Sequence, residues 1–144
     1  MAAPRLSEYR LRRRVNFYEV DSAGIVHFSC YFRYLEEAEH ALWRAAGLSI
    51  APPGAAVGFP RVNAAFDYHS PLRFEDEFDV TIRIAAITDK SIRYACVLER
   101  GGTRIATGSA TIVCVSKGAG GLMKATAIPQ DIASRFDAGA DAPA

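Results

Sequence analysis

A chain of 144 residues, half of them hydrophobic and 23% charged, has the size and balance of one globular domain and not of a disordered segment. Lys plus Arg number 17 against 16 for Asp plus Glu, a formal charge of +1 that argues against sequence-independent nucleic-acid binding. Every apolar run is broken by Arg, Glu or Asp well before the roughly 18 residues a membrane span needs, so none is expected.

The N-terminal MAAPRLSEYRLRRRV carries charge but no apolar stretch behind it, so it does not read as a secretory signal. Residues 1 to about 8 read as a loose tail. From Tyr9 to Tyr18 the alternation predicts a strand, with Tyr9, Leu11, Arg13, Val15 and Phe17 on one face. Arg10, Arg12 and Arg14 fall on the other, as a solvated row that discourages edge pairing or as a phosphate-binding one.

A turn follows around Asp21-Ser22-Ala23-Gly24, and then a helix from about Ser29 to Ala46, with Ser29 as N-cap and Gly47 as the stop. Phe32, Leu35, Ala38 and Leu42, with Tyr31, Tyr34, Ala41 and Ala45 alongside, give this helix a broad apolar surface that other structure must surround. Residues 49–58, rich in Ala, Pro and Gly, read as a flexible loop. Four strands are predicted next, at about 60–68, 77–88, 91–100 and 104–116, with hairpin turns at Asp89-Lys90 and Gly101-Gly102. Residues 117–121 form a Gly-rich break, 129–136 a short helix, and 137–144 a second loose tail.

One strand, one long helix and four consecutive strands make an α+β domain over 1–144, an antiparallel five-stranded sheet curled around a central helix. The exposed sheet edge and outer face point to a homodimer at least. Three cysteines, Cys30, Cys96 and Cys114, without a CxxC spacing, read as reduced thiols of a cytoplasmic protein.

His27, His40 and His69 are scattered, with no HxH, HExxH or Cys/His cluster, so no metal is expected. Nucleotide-binding glycine loops and a GxSxG elbow are also missing, which leaves carboxylate chemistry. Asp21 is the candidate. The Gly24 turn lets backbone approach a ligand, and free N–H groups at the following helix N-terminus can stabilise an oxyanion. A carboxylate beside such donors can attack a carbonyl or deprotonate the water that does. A plain turn or capping role for Asp21 is the competing reading.

The segment Tyr18-Glu19-Val20-Asp21-Ser22-Ala23-Gly24-Ile25-Val26-His27-Phe28, with Tyr31, Tyr34 and Glu36, resembles the signature of the hotdog-fold acyl-CoA thioesterases. The closest group is the 4-hydroxybenzoyl-CoA thioesterase family and its YbgC-like branch. The resemblance spans about residues 9–136 and implies a hotdog fold and hydrolysis of an acyl-CoA or acyl-carrier thioester, with no cofactor beyond the CoA of the substrate. It implies Asp21 as nucleophile or general base and the Phe28 backbone N–H, beside the Gly24 turn, as the group polarising the carbonyl. It further places Lys90-Ser91 near the CoA phosphates, with Arg93 and Arg104 weaker phosphate candidates. Glu36 becomes a buried supporting carboxylate, and dimers are expected to pair into tetramers. Tyr31, Phe28, Phe32, Phe59 and Phe66 are the aromatic candidates for an apolar acyl pocket.

Two positions depart from the family pattern: His27-Phe28 stands where Tyr-His is common, and Glu19 where Asp is usual. His27 therefore reads as a substrate-shaping or structural residue. An enoyl-thioester hydratase or dehydratase, and a non-catalytic acyl-thioester binder, are the alternatives on the same fold.

Overall fold

The computed structural model describes residues 4–139. Strand β1 (Glu8–Arg14) is followed by helix α1 (Cys30–Ala45), the two-residue strand β2 (Val57–Gly58), and the long strands β3 (Arg61–Tyr68), β4 (Glu77–Ile87), β5 (Ser91–Arg100) and β6 (Thr103–Val113). Strands β7 (Val115–Lys117) and β8 (Met123–Ala125) and the short helix α2 (Gln130–Ala133) complete the described chain. The long strands form one antiparallel sheet in the order β1-β4-β5-β6-β3. That is the sheet-around-helix architecture expected of a hotdog fold.

Alternation decides which face meets the helix. Phe78, Val80, Ile82 and Ile84 of β4, with Ile92, Tyr94, Cys96 and Leu98 of β5, are buried against Tyr34, Leu35, Ala38 and Leu42 of α1. Gly108 in β6 leaves room for the Phe66 ring, since a Cβ there would lie 2.5 Å from it. The Asp89-Lys90 hairpin closes through Thr88 N–H to Ser91 O at 2.9 Å. Gly101 and Gly102, at φ +54° and +85°, supply the positive dihedrals of a tight hairpin turn. Helix α1 stops at Gly47 (φ +80°), where Leu48 N–H reaches Trp43 O and Gly47 N–H reaches Arg44 O, both at 2.9 Å. Ser29 holds the N-cap position without capping. Its Oγ instead lies 2.7 Å from His27 Nδ1.

Several expectations change. Strand β1 ends at Arg14, and Phe17–Glu19 is a 3-10 turn, so Phe17 and Tyr18 are both exposed and do not alternate. The expected strand over 104–116 breaks at the buried Cys114. A small second sheet, β2-β7-β8, then joins the end of the 49–58 loop to the residues flanking the Gly-rich break.

The described parts of the expected loose tails are tied down. Leu6 N–H donates to Arg135 O, and Asp137 N–H to Leu6 O, each at 2.9 Å, while Gly139 N–H reaches Ile84 O at 2.7 Å. Phe136 anchors this seam in the core. Residues 1–3 and 140–144 of those tails lie outside the described residues.

The arginine row of β1 is paired across the sheet. Arg10 and Arg12 meet Asp79 of β4, and Arg12 and Arg14 meet Glu77.

Candidate active site

Asp21 sits in a closed turn between two short bridging segments, Val20 and Val26. Its N–H donates to Ile25 O at 2.8 Å, and its carbonyl accepts from Gly24 N–H at 3.0 Å. Gly24 holds φ +80° in open space, so the backbone dihedral and not crowding selects glycine there. Oδ1 of Asp21 accepts from the Ala23 N–H at 2.8 Å and the Ile25 N–H at 3.4 Å. Among the described residues nothing engages Oδ2. One oxygen thus fixes the carboxylate and the other is left without a hydrogen bond.

The Phe28 N–H, just before α1, meets no acceptor among the described residues, whereas its neighbours are spoken for. His27 N–H donates to Glu19 O at 2.8 Å, Ser29 N–H to His27 Nδ1 at 3.3 Å and Cys30 N–H to His27 O at 2.9 Å. The Phe28 carbonyl accepts from the Tyr68 hydroxyl at 2.9 Å, which ties this turn to the end of β3. A free N–H at a helix start is the kind of donor that stabilises an oxyanion.

Asp21, Phe28, Tyr31, Tyr68, Ser70 and Pro71 line one cavity of about 410 Å³, with Ile25, Val26 and His69. Tyr31 and Tyr68 meet edge to face, centroids 4.9 Å apart. Burial, first of all, pushes the Tyr31 hydroxyl up to about 12, so it is a neutral phenol at physiological pH. The site therefore offers, among the described residues, one carboxylate oxygen without a hydrogen bond, one backbone donor without an acceptor and an aromatic wall. That is the equipment for attack on a polarised carbonyl.

Of the residues expected from sequence, Asp21, Gly24, Phe28 and Tyr31 come together here. Phe66 stands behind the wall, its centroid 6.0 Å from Tyr31 and 6.4 Å from Tyr68. His27 is exposed and stacks on Phe28 at 4.5 Å, outside the cavity lining. Phe59 packs on Trp43 at 5.0 Å, near the other end of α1.

Lys90 and Ser91 occupy the far end of the sheet. Ser91 pairs with Val113 and Arg61 with Ile112, whereas Tyr68 pairs with Ala106. The strand rise of about 3.3 Å per residue makes that separation roughly 20 Å within one protomer. Glu36 is exposed, 3.6 Å from Arg61, and the fully buried carboxylate of the helix is Glu39.

Tyr68, His69, Ser70 and Pro71 were not foreseen. The signal for Tyr68 was present, since it shares a strand face with Phe66. His69 also lines a second cavity of about 380 Å³, on the sheet face turned away from α1, which Arg93 and Arg104 border. Among the described residues no group of His, Cys, Asp and Glu is arranged to hold a metal ion, and no helix is long and apolar enough to cross a membrane.

The family model of the thioesterase-like superfamily matches residues 15–136. The chain belongs to that superfamily. Similar sequences include a relative from Aquifex aeolicus that carries an esterase name, 30% identical over 122 residues, 84% of this chain and 91% of the relative. A 1,4-dihydroxy-2-naphthoyl-CoA hydrolase of Synechococcus elongatus is 25% identical over 113 residues, 76% of this chain and 83% of its own. The crystal structure of a gentisyl-coenzyme A thioesterase superposes with a TM-score of 0.79 at 26% identity, covering 90% of this chain and 100% of that one. The fold is thus the hotdog fold of thioesterases, and the chain is a thioester hydrolase by family.

Proposed function

We propose that this protein hydrolyses acyl-CoA thioesters, with Asp21 as nucleophile or general base and the Phe28 N–H as the donor to the carbonyl oxygen. The observation that carries the reading is the pairing of a free carboxylate oxygen on Asp21 with a free N–H on Phe28 along one aromatic-walled cavity. As general base, Asp21 takes a proton from water, the hydroxide adds to the thioester carbon, and the C–S bond breaks. As nucleophile, Asp21 forms a mixed anhydride and releases the thiolate, and water then cleaves the anhydride. Either route yields free acid and thiol from thioester and water, and neither needs a cofactor.

The wall of Phe28, Tyr31 and Tyr68 favours an aromatic acyl group, in keeping with the aromatic acyl-CoA substrates named for two of the relatives. The unpaired outer edge of β3 favours a homodimer. A two-fold axis through that edge pairs the strands antiparallel, so the Arg61 end of one protomer meets the Tyr68 end of the other. The partner's Lys90-Ser91 turn then comes to the same side of the assembly as the Asp21 cavity, where it can meet CoA phosphates. Pairing of two such dimers would cover the outer sheet faces.

A thiol-release screen over aryl and C2 to C16 acyl-CoAs tests the reading. Turnover of aryl substrates above the aliphatic series is expected. Loss of enoyl absorbance from crotonyl-CoA without thiol release would favour a hydratase, and thiol release from no substrate would favour a binding protein.

A further inference from the structure

We propose that Arg13 and Glu19 are positioning residues that hold the reactive turn in register with the helix N-terminus. The inference rests on the reading of Asp21 and the Phe28 N–H as the reacting pair. Arg13 leaves β1 on the helix side and spends every N–H it has. Nε and Nη2 donate to the two Glu37 oxygens at 2.6 and 3.1 Å, and Nη1 and Nη2 to the two Glu19 oxygens, each at 2.8 Å. The remaining Nη1 proton goes to Arg14 O at 2.9 Å, and the guanidinium lies over the Tyr34 ring at 4.5 Å. One planar cation therefore joins the strand, the turn and the helix by two forked contacts.

Glu19 is the residue through which this clamp reaches the chemistry. Its carboxylate is 5% exposed and also accepts from the Asn16 N–H at 2.8 Å. Its carbonyl accepts from the His27 N–H at 2.8 Å, across the neck of the turn. The segment between them carries Asp21, and the residue after His27 carries the free N–H. Rotation or displacement of Glu19 thus shifts both reacting groups, and a misplacement of about 1 Å is enough to cost roughly a hundredfold in rate. Glu37 makes a matching forked contact to the same guanidinium but stands on α1, away from the turn. Its side chain is 44% exposed against 5% for Glu19, so it is the weaker arm of the clamp.

The test compares Glu19→Gln, Arg13→Lys and Glu37→Gln with Asp21→Asn in the full chain, by thiol release and by amide exchange. Lys keeps the charge of Arg13 but cannot fork to two carboxylates. Glu19→Gln and Arg13→Lys are expected to lower kcat about tenfold or more with KM changed less than about threefold. Glu37→Gln should lower kcat less than Glu19→Gln does, because its carboxylate is 44% exposed and its loss leaves the Arg13–Glu19 contact in place. In the absence of substrate, the His27 amide should exchange about tenfold faster in Glu19→Gln and not in Glu37→Gln. Glu19→Asp, which retains the charge, replaces Glu19→Gln should the latter unfold, and should recover part of the rate. Wild-type kcat in Glu19→Gln and Arg13→Lys, alongside an inactive Asp21→Asn, overturns the positioning role and leaves the proposed function standing. An active Asp21→Asn overturns the proposed function, and the exchange measurement still decides whether Glu19 holds the turn.

Discussion

The two halves of α1 each carry a carboxylate–guanidinium cluster, and they are finished to different degrees. At the N-terminal half, Arg13 is fully partnered by Glu19, Glu37 and Arg14 O, and the orphan atom beside it is the neutral Tyr34 hydroxyl. At the C-terminal half, Arg61 Nη2 donates to Glu39 Oε1 at 2.8 Å, while Arg61 Nη1 and Glu39 Oε2 are buried with no partner among the described residues. The first cluster is closed within one chain and lies beneath the Asp21 turn. The second is open, and it hangs on β3, at the opposite edge of the sheet from the β1 that carries Arg13. Buried charge is tolerated when hydrogen-bonded and costly when not, so the open cluster is the unfinished part of the molecule. The closed cluster lies under the proposed active site, whereas the open one lies inside the fold beneath β3, where the proposed dimer edge runs.

The largest effect expected from breaking this contrast is at Arg13. Arg13→Ala leaves Glu19 buried and uncompensated and should cost about 3–5 kcal/mol in chemical denaturation. A loss below about 1 kcal/mol would mean that the closed cluster is not closed in solution.

Alkaline stability probes the same half of the helix. Burial raises the Tyr31 hydroxyl from 10.0 to about 12. A group raised on folding binds its proton more tightly in the native state. Its contribution is therefore whole below pH 10 and is lost as pH climbs through 12. Stability should fall across that window, and tyrosinate absorbance in the folded protein should lag behind that of the unfolded chain. Coincident titrations would contradict the burial of Tyr31.

Matched neutralisations sharpen the comparison. Glu19→Gln should cost about 2 kcal/mol, because each oxygen accepts charge-assisted bonds, and Glu39→Gln about 1 kcal/mol, because one oxygen is already orphaned. Urea denaturation at constant m-value reads the difference, and the reverse order would undo the contrast. Tyr68→Phe is the mildest change. It removes one neutral hydrogen bond to the Phe28 carbonyl and should cost about 1 kcal/mol, with only a few-fold effect on kcat.

What could be read from the sequence follows from which forces act locally. The alternation of Phe78, Val80, Ile82 and Ile84, and the Gly101-Gly102 turn, are local signals, and they place the sheet and its hairpins. The turn around Asp21 was legible because Gly24 and the helix start lie within a few residues of it. The sheet β2-β7-β8 was not, since strands this short hold too few residues for a period to emerge. Glu36 and Glu39 look alike on a helical wheel with a broad apolar surface. Arg61 reaches both; what separates them is depth, since Glu39 at 2.8 Å is fully buried and Glu36 at 3.6 Å is half exposed, a difference set by the packing of β3 on the helix. Likewise the distance from Lys90 to Asp21 is a property of strand order, which no short motif records.

The most direct test of the account is steady-state thiol release by Asp21→Asn, using the best aryl-CoA from the screen and a protein shown to be folded by circular dichroism. The substitution keeps the shape of the turn and an oxygen for the Ala23 and Ile25 N–H groups, while removing the charge that attacks or deprotonates. The account predicts a fall in kcat of about a thousandfold or more, with KM little changed. A folded Asp21→Asn protein that turns over at near the wild-type rate would contradict it.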